Sequence, residues 1–595
     1  MMQVQNRSKS RLGRCSLGHR CHGHDLVDDA FHLYLVHGKI PNVCSLTSKT
    51  TTIFREVAKI RIKTMTIETN DFERAEHPKA KLPRFSDPSV VRTPDDLASS
   101  ITGLEVINFG RIAEQIAPGK TIFFVGIGGI SMCGLAELAH HEGVSCFGSD
   151  PHPNARTAYL GTLGIPVVHH HAAESIDRTA PDLVVFSKAV FDDNPERLRA
   201  VELGIPCVER SIFLGAINRL FDRVINISGT NGKSTCTAMC ALIMMESGID
   251  PTVHLGAELI EFKTTVRLSK TKQRDFLLSE ACEFKRGFYN YSGTATVVLN
   301  LVHDHIDCYK THDELIDAFA RFVAIQPAGS VLILPTYDQD INIMLDLVET
   351  VRPGHLDKLK IIWFGEKNET NRYGKRPDYY YTDLHYNDRG EPCCDVYKGD
   401  TIYTDITLTV PGEFNIQNAM GAIVAADLSG GTPEAAKNAL RSFRGAEGRF
   451  TRAGYYNGAE VIVDYAHHPS AVRVTIEAAR HLPAKRLWIC FQPLTHSRVR
   501  GFFDDFVDSM LDVRPIMMSE IYDDREKDTS ISSKDICDRI NELGGQAEFY
   551  PTNEMLEEHL RRIIEPGDVL LIMGVDLRNV GDRLTGRTDH MKPVV

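Results

Sequence analysis

The chain has 595 residues, more than one hydrophobic core usually supports, and domains of about 100–200 residues predict three or four units. Its hydrophobic share of 43% and charged share of 25% are those of an ordinary globular protein, and a formal net charge of -12 argues against a general nucleic-acid binder. A small-molecule partner is the better starting point.

The 14 cysteines are scattered rather than spaced as a small disulfide scaffold, which fits a reducing cytoplasm. No apolar run approaches the roughly 20 residues that span a bilayer, and MMQVQNRSKSRLGRC has no apolar stretch behind its charges. Neither export nor membrane insertion is expected. Residues from Met1 to about Lys63 are rich in Arg, His and Cys, but Cys15, His19, Cys21, His22 and His24 match no usual zinc spacing. Residues 1–119 are expected to be an N-terminal extension, largely disordered or reflecting a start placed too early, with Met65 a candidate true start.

From Thr121 onward, short β-branched or aromatic runs alternate with helix-length amphipathic stretches, the pattern of parallel sheets with crossover helices. The fold class is therefore α/β. A first, Rossmann-like unit at 120–219 carries the strands TIFFVG, VSCFGSD, GIPVVHH, PDLVVFS and GIPCVE. A second unit, 220–447, opens with RVINIS and the helix KSTCTAMCALIMMES and continues through DFLLSEA, TATVVLN and SVLILP. Within it, from about Pro377 to Val410, alternating polar and apolar residues around Asp388-Arg389-Gly390 predict a small antiparallel insert at the sheet edge. A third unit, 448–595, repeats the α/β alternation in EVIVDYA, RLWICFQ, PIMMSEI and DVLLIMG.

The sharpest local signal is Gly229-Thr230-Asn231-Gly232-Lys233-Ser234-Thr235, between a strand and a helix, where phosphate meets free N–H groups and a helix N-terminus. Lys233 would neutralise phosphate charge, and the Ser234 hydroxyl can ligate magnesium. The loop is shorter than the general Walker pattern, with Ile227 where the first glycine would stand. A tight glycine turn opening a helix is the bland reading. An earlier loop, Gly126-Ile127-Gly128-Gly129-Ile130-Ser131, also joins a strand to a helix, and Asp150 closes the next strand at about the distance of a ribose-binding acid. As a dinucleotide fingerprint it is imperfect, because Ser131 takes the place of the third glycine. Helix-to-sheet packing would explain its glycines almost as well.

Two clusters fall at strand ends of the second unit, where open α/β sheets place ligands: Glu280 with Glu283, and His303, Asp304, His305 and Asp307. A carboxylate and an imidazole can complete a metal shell begun by Ser234. Asn415 and Asn418 follow Pro411-Gly412 at a helix start, where amides cap the helix or read an adenine edge. Arg449, Asp464 with Tyr465, His467 and His468, and Arg498 bring cationic and polar groups to the third unit, suiting a domain that closes over ATP and a carboxylate.

Taken in order, GIGGISMCGLAE, FGSD, SGTNGKST, SEACEF, NLVHDHIDCY, PGEFNIQNA, GRF, DYAHHPS, FQPLTHSR and EIYDDREKD resemble the Mur ligase family, in particular its UDP-N-acetylmuramate:L-alanine ligases. The resemblance runs from about Lys120 to the C-terminus. It implies that ATP phosphorylates a muramoyl carboxylate and an amino acid's amine attacks the acyl phosphate, in cytoplasmic peptidoglycan precursor synthesis. By the family's motif, Gly229 to Thr235 would bind the triphosphate. Ser234, Glu280 and His305 would hold magnesium, or manganese in its place. Asn415, Asn418, Arg449 and Asp464 would contact ATP, while His467 and Arg498 face the acceptor amino acid. Gly126, Gly128 and Gly129 would take the diphosphate of the UDP-sugar, with Asp150, His171 and Ser187 nearby. Lys233, Glu280, His305, His467 and Arg498 would be the catalytic set.

Three departures concern the third unit. Leu494 stands where the family has a histidine, His496 where it has an aromatic residue, and Gly574-Val575-Asp576-Leu577 where it has Gly-Ala-Gly-Asp. A different amino acid or a small murein peptide as acceptor, or a paralogue that binds nucleotide and sugar without catalysis, are the alternatives these raise. An NAD-dependent oxidoreductase using the loop at Gly126 would leave the second nucleotide loop and the Glu280 and His305 cluster unexplained.

Overall fold

The computed structural model describes residues 81–256, 262, 264–305, 308–445, 448–523 and 529–587, and these build three sheets one after another along the chain. The Cys and His residues before position 25, Met65 and Asp307 lie outside the described residues.

The first sheet holds β1 (Thr121–Val125), β2 (Ser145–Ser149), β3 (Val167–Val168), β4 (Leu183–Phe186) and β5 (Cys207–Glu209), all parallel, in the order β3-β2-β1-β4-β5. The strand order reverses between β1 and β4, the crevice where doubly wound sheets bind ligands. Gly126 follows β1 and Ser187 follows β4, so both stand at that crevice.

The second sheet has ten strands: β6 (Arg223–Ser228), β7 (Thr252–His254), β8 (Val266–Arg267), β9 (Phe276–Glu280), β10 (Ala295–Val298), β11 (Val331–Pro335), β12 (Lys360–Glu366), β13 (Tyr379–Tyr386), β14 (Pro392–Lys398) and β15 (Thr401–Thr407). Their order is β15-β14-β13-β12-β11-β10-β6-β9-β7-β8. β6 is buried along its whole length because helices cover both faces, so an uninterrupted run of core positions is what a central parallel strand requires. The antiparallel insert is present as β13, β14 and β15 at the sheet edge, its turn closed by a hydrogen bond from Gly390 N to Asn387 O. The two- or three-residue strands β7 and β8 are too short to carry a periodic signal and were not foreseen.

The third sheet comprises β16 (Thr451–Tyr456), β17 (Ala459–Asp464), β18 (Leu487–Phe491), β19 (Ile516–Ser519), β20 (Ala547–Tyr550) and β21 (Val569–Met573), ordered β16-β17-β21-β18-β19-β20. Only β16 runs antiparallel to its neighbour. Among the described residues no helix is long and apolar enough to cross a membrane.

The expectation of a disordered extension reaching residue 119 is corrected for its last part. Residues 82–119 form the helices Asp95–Thr102 and Phe109–Ala113 and bury Leu82, Val90, Ile101, Phe109 and Ile116. Leu82 N donates to Leu428 O, Phe85 N to Asp222 O, and Val91 pairs with Ala328, so this strap is hydrogen-bonded to the second sheet's layer. Five scattered apolar anchors give no helical or strand period, yet each fills a site in an existing core.

Candidate functional site

The loop after β6 carries the phosphate-type motif. Gly229 (φ +130°) and Gly232 (φ +84°) hold backbone conformations that side chains rarely adopt, and a Cβ on Gly229 would lie 3.0 Å from Leu299 N. Asn300, just past β10, braces the loop: its Oδ1 accepts from Asn231 N at 2.9 Å and its Nδ2 donates to Asn231 O at 3.0 Å. The helix Lys233–Glu246 then starts without a side-chain cap, leaving its first N–H groups directed at the loop mouth.

Lys233 Nζ donates to Gly229 O at 2.7 Å and Thr230 O at 3.0 Å, and lies 2.9 Å from Glu283 Oε2. Burial pushes the lysine pKa down, but Glu283, with smaller contributions from Cys282 and Glu280, more than offsets this and the ammonium stays charged. Burial likewise raises the fully buried Glu283 carboxyl, while Lys233 and then His305 hold it below its usual range. His305 Nε2 lies 3.5 Å from Glu283 Oε1, and its φ of +54° is a strained setting for a non-glycine residue in the loop after β10.

Ser234 Oγ donates to Glu280 Oε2 at 2.8 Å, and Gly256 N donates to the same oxygen. The structure therefore brings Ser234 and Glu280 together, whereas His305 stands at Glu283. Among the described residues no three His, Cys, Asp or Glu side chains converge as a metal cage. One hydroxyl and one carboxylate oxygen are nonetheless a fitting donor set for magnesium, which usually keeps waters and phosphate oxygens as its other ligands.

Above this floor lies a cavity of about 530 Å³, in the size range of small-molecule sites. Thr230 to Thr235, Glu280, Asn415, Asn418, Arg449 and Asp464 all line it, so most of the nucleotide set expected from the sequence shares one cavity. Sequence reasoning missed Asn300, Tyr337, Asp338, Phe414 and Phe450, which line it too. Asn300, Tyr337 and Asp338 follow β10 and β11, so their strand-end positions were the available signal. Asn415 Nδ2 is committed to Pro411 O at 2.8 Å. Asp464 accepts from Phe450 N and Ala466 N, each at 2.6 Å; burial raises its pKa, with Arg449 opposing. The Arg449 guanidinium stands over the Tyr465 ring, 5.2 Å from its centroid.

His467 and Arg498 stand where the second and third sheets' layers meet. Arg498 Nη2 lies 3.2 Å from Asp304 Oδ1, while the buried Arg498 Nε has no partner among the described residues. Burial raises the Asp304 carboxyl, but His305, Arg498 and His468 together hold it well below the ordinary carboxylate range. Burial, then Arg498, pushes His467 down to about 3, so it is neutral near pH 7. Of the departures, Leu494 pairs with Tyr522 in a short bridge and His496 Nδ1 lies 2.9 Å from Asp523. Gln492 accepts from Leu577 N at 2.9 Å, and Asn553 donates to Asp576 at 2.7 Å, so the altered end motif is tied into the same loops.

In the first sheet, Gly126 (φ +78°) opens the glycine loop beside Ser187, whose Cβ lies 3.5 Å from where a Cβ on Gly126 would sit. Asp150 does not point outward as a free ribose acceptor: Oδ2 takes Gly128 N at 2.9 Å and Oδ1 takes His152 N at 3.0 Å. It shapes the loop instead. Gly129 caps the helix Ile130–His141 with no side-chain bond, leaving the first N–H groups of that helix without a side-chain acceptor. His171 turns to Ser149 and to the fully buried Glu196, 2.8 Å away.

Three family models match in register with the three sheets: the Mur ligase family, catalytic domain at residues 121–222, the Mur ligase middle domain at 227–426, and the Mur ligase, glutamate ligase domain at 448–575. The UDP-N-acetylmuramate--L-alanine ligase of Acetivibrio thermocellus is 35% identical over 466 residues, covering 78% of this chain and 95% of that one. Its counterpart in Agathobacter rectalis is 36% identical over 456 residues, covering 76% and 95%. Among solved structures, the UDP-N-acetylmuramate-alanine ligase of Thermotoga maritima aligns with a TM-score of 0.63 at 26% identity, covering 80% of this chain and all of the other. A murein peptide ligase of Psychrobacter arcticus shares the fold, with a TM-score of 0.57 at 22% identity and coverage of 80% and 100%.

Proposed function

Since the chain belongs to the Mur ligase family, we propose that it is an ATP-dependent ligase joining L-alanine to the carboxylate of UDP-N-acetylmuramate in peptidoglycan precursor synthesis. The observation that carries this reading is the convergence of Ser234 and Glu280 beside Lys233 on the floor of the cavity that Asn418, Arg449 and Asp464 also line. A cytoplasmic setting agrees with the free thiols of the described residues.

ATP enters with its phosphates on the helix terminus at Gly232 and its base toward Asn415 and Asn418. Ser234 and Glu280 would hold magnesium, which when bound screens the β and γ phosphates. Lys233, kept charged by Glu283, swings a short distance to the γ-phosphate. The sugar-nucleotide lies along the glycine loop and brings its carboxylate to the seam. A carboxylate oxygen attacks the γ-phosphorus and ADP leaves. The acceptor's ammonium gives up a proton to solvent, its amine attacks the acyl carbon, the tetrahedral adduct's nitrogen releases a second proton to solvent, and phosphate departs with the oxygen that had belonged to the carboxylate. Arg498 holds the acceptor's own carboxylate, with Asp304 fixing the guanidinium. His467, being neutral, adds no second positive charge beside the incoming ammonium.

Carboxylate-labelled UDP-N-acetylmuramate tests the route. One oxygen-18 should appear in the released phosphate for each amide formed; phosphate without label would mean ATP is hydrolysed without acyl activation. A second reading, with another amino acid or a murein peptide as acceptor, is favoured by Leu494 and by the His496–Asp523 pair at the acceptor side. It keeps the chemistry and changes the product mass.

A further inference from the structure

The seam between the first and second sheets carries a cation that the nucleotide site does not use. Arg210 is the first residue of the helix Arg210–Asn218, and its Nη1 donates to Ser131 Oγ at 2.9 Å. Ser131 belongs to the first turn of the helix that the glycine loop opens, and its hydroxyl also lies 3.0 Å from Nε2 of buried His254 in β7. β7 runs beside β9 with His254 opposite Ser279, and Gly256 just beyond donates to Glu280. Arg210 therefore stands between the loop suited to a diphosphate and the carboxylate suited to the metal. The seam is tightly packed: Thr265 Oγ1 donates to Ile130 O at 3.0 Å, and a Cβ on Gly134 would meet Thr265 Oγ1 at 2.7 Å.

What Arg210 lacks is a close counter-charge. Among the described residues no carboxylate lies within ion-pair distance of it. Glu209 is committed elsewhere, accepting from Ser211 N at 3.0 Å and lying 3.8 Å from Lys188 Nζ. Burial, and then Arg210 itself, pushes the His254 pKa down to about 3, so that imidazole is neutral. Burial disfavours the guanidinium, but Tyr291 and then Glu209, Cys282 and Glu280 outweigh it and keep Arg210 charged, neither carboxylate being in ion-pair contact. The half-buried guanidinium stays charged but is held by the Ser131 hydroxyl rather than by a paired carboxylate, so an incoming anion could take a close ion-pair position without breaking an existing salt bridge.

We propose that Arg210 binds the carboxylate of the sugar-nucleotide and holds it for phosphorylation, an assignment that rests on the sugar-nucleotide reading above. The substrate brings two anions to this region. Its diphosphate is matched by the uncapped helix start at Gly129, whereas the carboxylate must reach the Glu280 side, where Arg210 stands, to meet the γ-phosphate. A guanidinium fork matches a carboxylate in two parallel hydrogen bonds.

Calorimetric binding by the full chain separates the two sources of negative charge. Wild type, Arg210→Met and Arg210→Lys are each titrated with UDP-N-acetylmuramate, with UDP-N-acetylglucosamine, which lacks the carboxylate, and with UDP. Arg210→Met should lose roughly ten- to a hundredfold in affinity for UDP-N-acetylmuramate alone, as expected for a charged hydrogen bond. Arg210→Lys, which keeps the charge without the fork, should recover part of the loss and covers the case in which the Met variant fails to fold. Unchanged ATP binding and melting temperature report an intact protein. An equal loss for UDP would place the contact on the diphosphate, and no loss for any ligand would make Arg210 structural; either result overturns the assignment. If wild type itself does not prefer UDP-N-acetylmuramate over the two other ligands, the sugar-nucleotide reading fails, and that failure shows before any variant is made.

Discussion

Arg498 and Asp304 meet at 3.2 Å although 194 residues separate them in the chain, one from the layer of the third sheet and the other from the loop that follows β10 in the second. Asp304 stays ionised because His305, Arg498 and His468 outweigh its burial, so the pair is charged across the neutral range. Arg498→Ala should lower kcat/KM for the acceptor about 100-fold while leaving the KM for ATP within about twofold, the signature of lost orientation rather than lost nucleotide binding. Asp304→Asn should give a smaller loss in the same direction. Steady-state kinetics with acceptor and ATP varied separately check both, and a rise confined to the KM for ATP would contradict the assignment.

Lys233 and Glu283 form a buried pair, so replacing one strands the other. Lys233→Met should cut turnover by roughly 100-fold or more and also destabilise the fold by about 3 kcal/mol, since Glu283 is left buried without its main partner. Adding Glu283→Gln should restore most of the stability but not the turnover. Denaturant melts alongside phosphate-release assays separate the two effects. Recovery of turnover in the double variant would remove Lys233 from the reaction.

His467 carries a pH signature. Its folded pKa, about 3, lies below the ordinary value of about 6.5. Below pH 6.5 the unfolded chain therefore binds the proton more readily than the fold does. Stability is full above pH 6.5 and falls as the pH drops from there toward 3. His467→Gln should flatten that acid-side decline in melting temperature, with His254 retaining a similar contribution of its own. A variant whose decline matches the wild type across this window would show that His467 titrates normally.

Gly128 is hemmed in by the groups that shape its loop. A Cβ there would lie 2.7 Å from Asp150 Oδ2, 2.8 Å from Asn154 Nδ2 and 2.9 Å from Thr157 Cγ2. Gly128→Ala should therefore displace the Asp150 brace and weaken UDP binding at least tenfold, with ATP affinity unchanged. Equal weakening of both ligands, measured by calorimetry, would point to general unfolding instead.

What the sequence made legible was local or lay at strand ends. The loop from Gly229 to Thr235 is one contiguous turn, and Glu280 meets Ser234 because β6 and β9 are adjacent parallel strands whose ends share a crevice. Side-chain direction was not legible. Asp150 sits where expected in the chain, but Gly128 N and His152 N consume its oxygens, and His171 is captured by Glu196, 25 residues onward. Arg210 escaped notice because its partner Ser131 is 79 residues away and no motif spacing links them. The strap at 82–119 escaped for another reason: Leu82, Ile101, Phe109 and Ile116 are single anchors that gain meaning only from the cores they enter.

The most direct test of the central claim is phosphate release by the purified full chain with ATP, magnesium and UDP-N-acetylmuramate, with L-alanine compared against glycine, L-serine and a murein tripeptide and every product weighed. The account predicts fast release with L-alanine and a product heavier than the sugar-nucleotide by one alanine residue. Release that is independent of any acceptor, or a product extended only by the tripeptide, would contradict it.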